Sequence, residues 1–260
     1  MKLFIVGQGI KSCKQFTFEA IEVLRAQNKT LFISIDSNQT ENFLKEQGID
    51  HLENIKDLYK DASRDEENYQ RLLDKILLEL KKNIHVGLVL PGNPRVGVTL
   101  LSWLENLSKE NHFELNVIPG ISSWDTIVND LRVDPLERGV HVLDANRLLL
   151  FEYNLEPLTD CMLYHVCSVG TSFTYLTEAS RDNKLFMLRD YLLKFYPQEH
   201  KVTLVSSSVG SESGPEFHTF NLSDLASKLN LIHFGSTLYV PGVKPKKVNR
   251  EFLSFLQEGL

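Results

Sequence analysis

Three residues in or beside one polar stretch carry groups suited to acid–base or electrostatic work. They are Tyr59, Arg64 and Tyr69, around the interval Leu58–Asn68 (LYKDASRDEEN). Two phenols and a guanidinium are ordinary surface side chains, yet functional groups are disproportionately mounted on loops held by a scaffold. A second stretch offers a binding surface. In Val86–Gly97 (VGLVLPGNPRVG) a compact apolar run stops at Pro91-Gly92-Asn93-Pro94, and apolar residues resume at Val96. The run reads as a strand buried on both faces. The two prolines remove backbone donors and end regular pairing. Gly92 allows a close backbone approach to a ligand. Strand, tight loop, helix is the geometry in which α/β sheets hold small molecules beyond the carboxyl ends of their strands. The punctuation recurs at Val117–Ser123 (VIPGISS), where Ser122 or Ser123 is placed to cap the next helix.

The elements that position these stretches alternate. Strands are expected at Leu3–Val6, Thr30–Ile35, Leu52–Ile55, Val86–Leu90 and Phe113–Ile118. Helices are expected at Phe16–Ala26, Thr40–Gln47, Tyr69–Asn83, Val98–Leu107 and Trp124–Leu131, the last stopped by Asp134-Pro135. Such alternation means a mainly parallel sheet with right-handed crossovers. The second half has fewer helices per strand. Val140–Leu143, Met162–Val166, Lys201–Ser206 and Thr237–Val240 read as strands, Arg181–Phe195 and Leu222–Leu229 as helices, and Gly210–Pro215 as a loop or hairpin turn. The fold class is therefore α/β: two α/β/α domains, a mainly parallel N-terminal sheet and a mixed C-terminal one. The expected division is 1–117, 118–245 and a C-terminal tail, 246–260, with the active site in the cleft between the domains.

Composition narrows the function classes. At 260 residues the chain can bury a full core. A net charge of -6 speaks against nucleic-acid binding, and Lys244–Lys247 reads as part of a solvated tail. Cys13, Cys161 and Cys167 are too irregular for a disulfide framework or a zinc site. No apolar run reaches the roughly 20 residues of a membrane span, and Gly7-Gln8-Gly9 cuts the first apolar run short of a signal peptide. The expectation is a cytoplasmic protein without a metal. Gly7 and Gly9 lack the third glycine of a dinucleotide fingerprint. His141, His165, His218 and His233 are scattered without metal-ligand spacing, and Ser206-Ser207-Ser208 has no nucleophile elbow.

LFIVGQGIKS at the start, VLPGNP in the middle and VIPGISSWDTIVNDLRVDP after it together resemble the tetrapyrrole (corrin/porphyrin) methylase superfamily. The likeness continues through HVCSVG (165–170), DYLLKFYPQEHKV (190–202) and FNLSDL (220–225), so it extends to about Pro241. It implies an S-adenosylmethionine-dependent methyltransferase of two α/β domains. The nearest branch is that of the borosin peptide α-N-methyltransferases, which carry a Tyr, an Arg and a Tyr before the central strand. Tyr59 and Tyr69 match the two tyrosines, whereas the family arginine falls on Asp65 with Arg64 one place earlier. Pro91 stands for a family tyrosine and Asn93 for a family histidine.

The resemblance implies catalysis by Tyr59, Arg64 and Tyr69. It implies cofactor contacts at Pro91, Gly92, Asn93, Pro94, Val96, Ser122, Ser123, His165 and Val166. An amide nitrogen is a poor nucleophile because its lone pair is delocalised. One tyrosine with a lowered pKa would act as base, while Arg64 and the second phenol would stabilise the imidate oxygen. The substrate implied is a ribosomally made precursor peptide supplied in trans, since the chain ends soon after Pro241 with an amphipathic stretch, Phe252–Leu256. A homodimer is implied as well. The alternatives are a methyltransferase of a tetrapyrrole-like or other small molecule, and a scaffold or regulator in which Asp65 and Pro91 have removed catalysis.

Overall fold

The computed structural model describes residues 1–82, 85–111, 113–208, 214–245 and 247–257. In chain order its first half contains β1 (Lys2–Gly7), α1 (Phe18–Arg25), β2 (Lys29–Phe32), α2 (Ser37–Glu46), β3 (Leu52–Asn54), β4 (Ser63–Arg64), α3 (Asp65–Lys82), β5 (His85–Leu90), α4 (Thr99–Asn111) and β6 (Glu114–Ile118). The second half contains α5 (Ser123–Leu131), α6 (Pro135–Arg138), β7 (Val140–Asp144), α7 (Ala145–Leu150), β8 (Asp160–Tyr164), β9 (Phe173–Thr174), α8 (Leu185–Leu192), β10 (Lys201–Ser206), β11 (Glu216–Asn221), β12 (Thr237–Val240) and α9 (Arg250–Gln257).

The first sheet has the order β3-β2-β5-β1-β6 and every pairing in it is parallel. Side chains alternate across a strand, and here both faces are apolar. Leu3, Ile5, Leu31, Val86, Leu88 and Leu90 pack on one face under Leu72, Ile76 and Leu80 of α3 and Leu100 and Leu104 of α4. Val6, Phe32 and Val89 pack on the other, under Ala20, Ile21 and Leu24 of α1 and Leu44 of α2. The second sheet has the order β11-β10-β12-β8-β7 and is mixed: β7 and β8 run parallel, and the other pairs are antiparallel. Cys161, Leu163, Val202 and Leu204 face one core together with Leu185, Leu188 and Leu192 of α8. Met162 and Val205 face the other side, against Ile127 of α5.

Several boundaries differ from the sequence reading. β2 stops at Phe32 rather than Ile35 because Asp36 caps α2, its carboxylate accepting from Gln39 N at 3.0 Å. α3 begins at Asp65, four residues before Tyr69, and the expected polar loop is partly helical. Asp65, Glu66 and Glu67 place negative charge at the helix N-terminus, where the macrodipole favours it. The expected helix end, Asn83, lies outside the described residues. β8 ends at Tyr164, since His165 adopts a left-handed φ of 57° that no strand accommodates. Leu222–Leu231 is a 3-10 helix. Most of Gly210–Pro215, together with Lys246 of the expected tail, lies outside the described residues, but β10 and β11 flank that stretch as an antiparallel pair.

A two-residue ribbon links the halves: Ser63 pairs with Thr174 and Arg64 with Phe173. The segment before it is tied down by Asn68, fully buried on α3, whose amide accepts from Lys60 N at 2.7 Å and donates to Lys60 O at 3.0 Å. Asn68→Ala would leave these backbone groups unpaired and is expected to cost about 1–3 kcal/mol, read as a lower urea midpoint with an unchanged slope.

Candidate active site

The carboxyl ends of β1, β5 and β6 converge. An added Cβ at Gly7 would stand 2.5 Å from Gly92 O and 2.6 Å from Gly120 N, and one at Gly120 would stand 2.5 Å from Gly92 O. Only glycine permits this approach. Gly9 and Gly92 exchange backbone hydrogen bonds across it, at 3.3 and 2.8 Å. Beside these loops opens a cavity of about 960 Å³, walled by residues from both halves of the chain.

One wall is aromatic. Tyr59 and Tyr69 meet edge to face with centroids 5.9 Å apart, and Tyr69 meets Trp103 in the same way at 6.0 Å. The Tyr59 hydroxyl lies 3.5 Å from Thr174 Oγ1, and Thr174 donates to Asp65 Oδ1. Both phenols are pushed above their ordinary value, not below it. Burial is the main cause for each. For Tyr59 the neighbouring Tyr69 and Asp65 add to it, and for Tyr69 Asp65 does. Raised in this way, both phenols are suited to donate a hydrogen bond rather than to accept a proton.

Arg64 is placed elsewhere. It is exposed, with its guanidinium carbon 5.7 Å from the centre of the Phe173 ring, and it does not line the cavity. Asp65, the next residue, does. Of the residues expected to touch a cofactor, Val96, Ser123 and His165 line the cavity. Pro91, Gly92, Asn93 and Pro94 build the loop behind it, with Asn93 Oδ1 accepting from Arg95 N at 3.0 Å. Ser122 is committed to a capping box with Asp125. Val166 is fully buried in the core, and its carbonyl accepts from Asn183.

Sequence reasoning did not single out Trp103, Asp144, Arg147 or Tyr164, and it read His233 only as one of four scattered histidines; all five line the cavity. Asp144 carried a legible signal, an acidic residue between a strand and an apolar run, the position of a helix cap. Its carboxylate accepts from Arg147 N at 2.8 Å and pairs with His165 Nδ1 at 2.5 Å. Burial alone would raise its pKa, but the His165 and backbone hydrogen bonds outweigh that and leave it lowered. A depressed carboxyl contributes stability that is present above its ordinary value near 3.8 and is lost as the pH falls through the lowered one. Asp144→Asn is expected to flatten that acid limb in urea melts run from neutral pH down to about pH 3.

The Tyr164 hydroxyl is buried near Ser123 without a full hydrogen bond, which leaves a donor for a ligand. The described lining residues include four carboxylates, Asp65, Glu66, Asp144 and Glu216, against one guanidinium, Arg147. Among the described residues no group of three His, Cys, Asp or Glu is placed to hold a metal.

The family model for tetrapyrrole (corrin/porphyrin) methylases matches residues 2–205. The chain belongs to this family. Among curated relatives of this chain, a methyltransferase/ribosomally synthesized type I borosin cyclic peptide precursor from Gymnopilus junonius is 28% identical over 242 residues. That match covers 92% of this chain and 56% of the relative. The methyltransferase/ribosomally synthesized cyclic peptide lentinulin A precursor of Lentinula edodes is 27% identical over 262 residues, covering 99% and 62%. The chain thus spans about six-tenths of the length of these two relatives. The solved uroporphyrin-III-C-methyltransferase from Thermus thermophilus superposes with a TM-score of 0.62 at 17% identity, covering 92% of this chain and 94% of that one, and shares the fold. No helix among the described residues is long and apolar enough to cross a membrane.

Proposed function

We propose that this methylase-family chain is an S-adenosylmethionine-dependent methyltransferase that α-N-methylates backbone amides of a ribosomally made precursor peptide, taken as a separate chain. The observation that carries the reading is the cavity itself, in which a partly buried phenol pair stands against an acidic lining. Its volume of about 960 Å³ lies at the upper end of the ~300–1,000 Å³ of single-ligand pockets and suits two reactants. The relatives whose names join methyltransferase to borosin precursor support the peptide. The four lining carboxylates disfavour the tetrapyrrole alternative, whose rim of carboxylates they would repel.

The cavity fits the cofactor. The unpaired Tyr164 hydroxyl, Ser123 and the Val96–Gly97 turn offer small polar and backbone groups for a carboxylate, a ribose and a base. The cofactor would supply a methyl group made electrophilic by a sulfonium. Tyr59 and Tyr69, held protonated by burial, donate to the amide oxygen and stabilise the charge that grows there as the nitrogen attacks. Trp103 and the apolar wall exclude water and orient the peptide. Arg64 enters this reading at the rim, where its charge faces an incoming peptide. A homodimer belongs to the reading too, and sedimentation velocity tests it.

Transfer of labelled methyl groups to a borosin-type precursor peptide, and not to a uroporphyrinogen, is the expected result. Label in the tetrapyrrole alone would overturn the peptide substrate. No label in either, with cofactor bound in calorimetry, would mean a silent cofactor-binding protein.

A further inference from the structure

The reaction needs a proton acceptor, and the two phenols hold their protons too firmly to serve as one. Two imidazoles line the cavity, and they differ. His233 is committed at both nitrogens. Its Nδ1 accepts from Gly235 N at 3.2 Å, so the proton sits on Nε2, which lies 2.8 Å from Ser206 Oγ and donates to it. His165 is committed at one. Its Nδ1 lies 2.5 Å from Asp144 Oδ2. An ionised carboxylate only accepts, so in this pair Nδ1 carries the hydrogen. In the neutral ring Nε2 is then a bare lone pair.

The ring that carries it lines the cavity, with 43% of the side chain exposed. Gly97, with φ of +71°, is the neighbour, and a Cβ there would stand 3.3 Å from Nε2. Asp144 is itself fixed, since its other oxygen caps α7 through Arg147 N. The segment carrying His165 is pinned from two sides. Asn146 Nδ2 donates to Ser168 O at 2.9 Å and Asn146 Oδ1 accepts from Gly170 N at 2.8 Å, while Asn183 Nδ2 donates to Val166 O at 2.8 Å. His165 holds a left-handed φ of 57°, which a non-glycine residue adopts at a cost of about 1–3 kcal/mol. A carboxylate, an oriented imidazole and an open nitrogen in a cavity form the arrangement of a general base with its positioning residue.

We propose that His165, oriented by Asp144, is the general base that takes the proton from the nucleophilic nitrogen during methyl transfer. His165 Nε2 accepts the N–H proton. The electron pair of that bond passes to the nitrogen, which forms the new bond to the methyl carbon as the methyl–sulfur bond breaks and its pair stays on sulfur. The imidazolium, paired with Asp144, then returns its proton to water. This inference rests on the methyl-transfer reading for the reaction it serves, whereas the dyad is measurable without it. The described charged and titratable groups that line the cavity with this ring are Asp144 at the end of β7, Arg147 on α7, Tyr164 and Cys167 on its own segment, Asp65, Glu66 and Tyr69 on α3, Tyr59 before β4, Tyr175 after β9, Glu216 on β11 and His233 before β12.

The experiment has two arms. Two-bond proton–nitrogen NMR on the free protein is expected to show His165 protonated at Nδ1 and bare at Nε2, with Asp144→Asn abolishing that preference. A proton on Nε2 in the wild type would overturn the proposal whatever the activity. In the second arm, His165→Gln is expected to lower kcat about 10²–10⁴-fold, with the cofactor dissociation constant changed only a few-fold. It is also expected to remove the acid limb of the pH–rate profile, and imidazole is expected to restore part of the rate to His165→Ala. Wild-type kcat in His165→Gln, or an acid limb that vanishes in Asp65→Asn and persists in His165→Gln, would overturn it. If wild-type protein transfers no methyl group, the proposed reaction fails while the NMR arm still decides the dyad.

Discussion

Tyr69→Phe is expected to lower kcat for methyl transfer about 10²–10³-fold, equivalent to ~2.7–4 kcal/mol of transition-state stabilisation, while the cofactor dissociation constant stays within a few-fold. The substitution keeps the ring, so the edge-to-face contacts with Tyr59 at 5.9 Å and Trp103 at 6.0 Å survive and the fold is spared. What is lost is one hydroxyl in a water-poor wall, where a donor aimed at growing negative charge acts far more strongly than in solution. Tyr59→Phe should act in the same direction. The double variant should lose less than the sum of the two, because each phenol lies in the other's field. Single-turnover kinetics with saturating peptide separate this effect from binding. An unchanged rate in Tyr69→Phe would remove the phenol pair from the mechanism.

Gly120→Ala is expected to destabilise the fold by about 3 kcal/mol or more, beyond the usual range for overpacking. The contacts that an added Cβ would make, 2.5 Å to Gly92 O, 2.6 Å to Gly7 O and 2.7 Å to Gly7 C, are all with backbone. Backbone in a parallel sheet cannot step aside as the end of a flexible side chain does. Relief requires β1, β5 and β6 to separate at their carboxyl ends, which displaces the turns carrying Val96, Gly97 and Ser123. Activity should therefore fall even at temperatures where the variant stays folded. Gly235→Ala is the contrast: its nearest contact is the His233 ring at 3.6 Å, and its expected cost is within about 1 kcal/mol. Urea melts of the two variants beside the wild type give the comparison. A Gly120→Ala midpoint matching that of Gly235→Ala would contradict the close approach.

The parallel sheet was legible because strands buried on both faces appear as continuous apolar runs, as Val86–Leu90 does, and because proline and glycine mark where they end. The second sheet was legible in its mixed character but not in its edge. β11, Glu-Phe-His-Thr-Phe-Asn, is largely exposed on its outer side and alternates too weakly to stand out. The β4–β9 ribbon was not legible at all. Two residues carry no period, and pairing Ser63 with Thr174 is a long-range event.

That ribbon also decides what the sequence could not about the site. Arg64 ends β4 exposed against the Phe173 ring and outside the lining, whereas Asp65, the first residue of α3, lines the cavity and accepts from Thr174 Oγ1. Tyr59 and Tyr69 were recognisable as a pair through their match to the two tyrosines of the family pattern, not from their polar setting alone. The direction of their pKa shifts was not, because it depends on burial against Trp103 and on the charge of Asp65. Asp144 and His165, 21 residues apart, meet only because β7 and β8 run parallel in register, Asp144 beside Tyr164.

The most direct measurement is fragment mass spectrometry of a borosin-type precursor peptide after incubation with this protein and S-adenosylmethionine, run alongside Tyr69→Phe. Whole-methyl increments localised to backbone nitrogens, abundant with the wild type and nearly absent with the variant, are the predicted result. Methyl groups confined to side chains, or equal methylation by both proteins, would contradict the assignment of this cavity to backbone N-methylation.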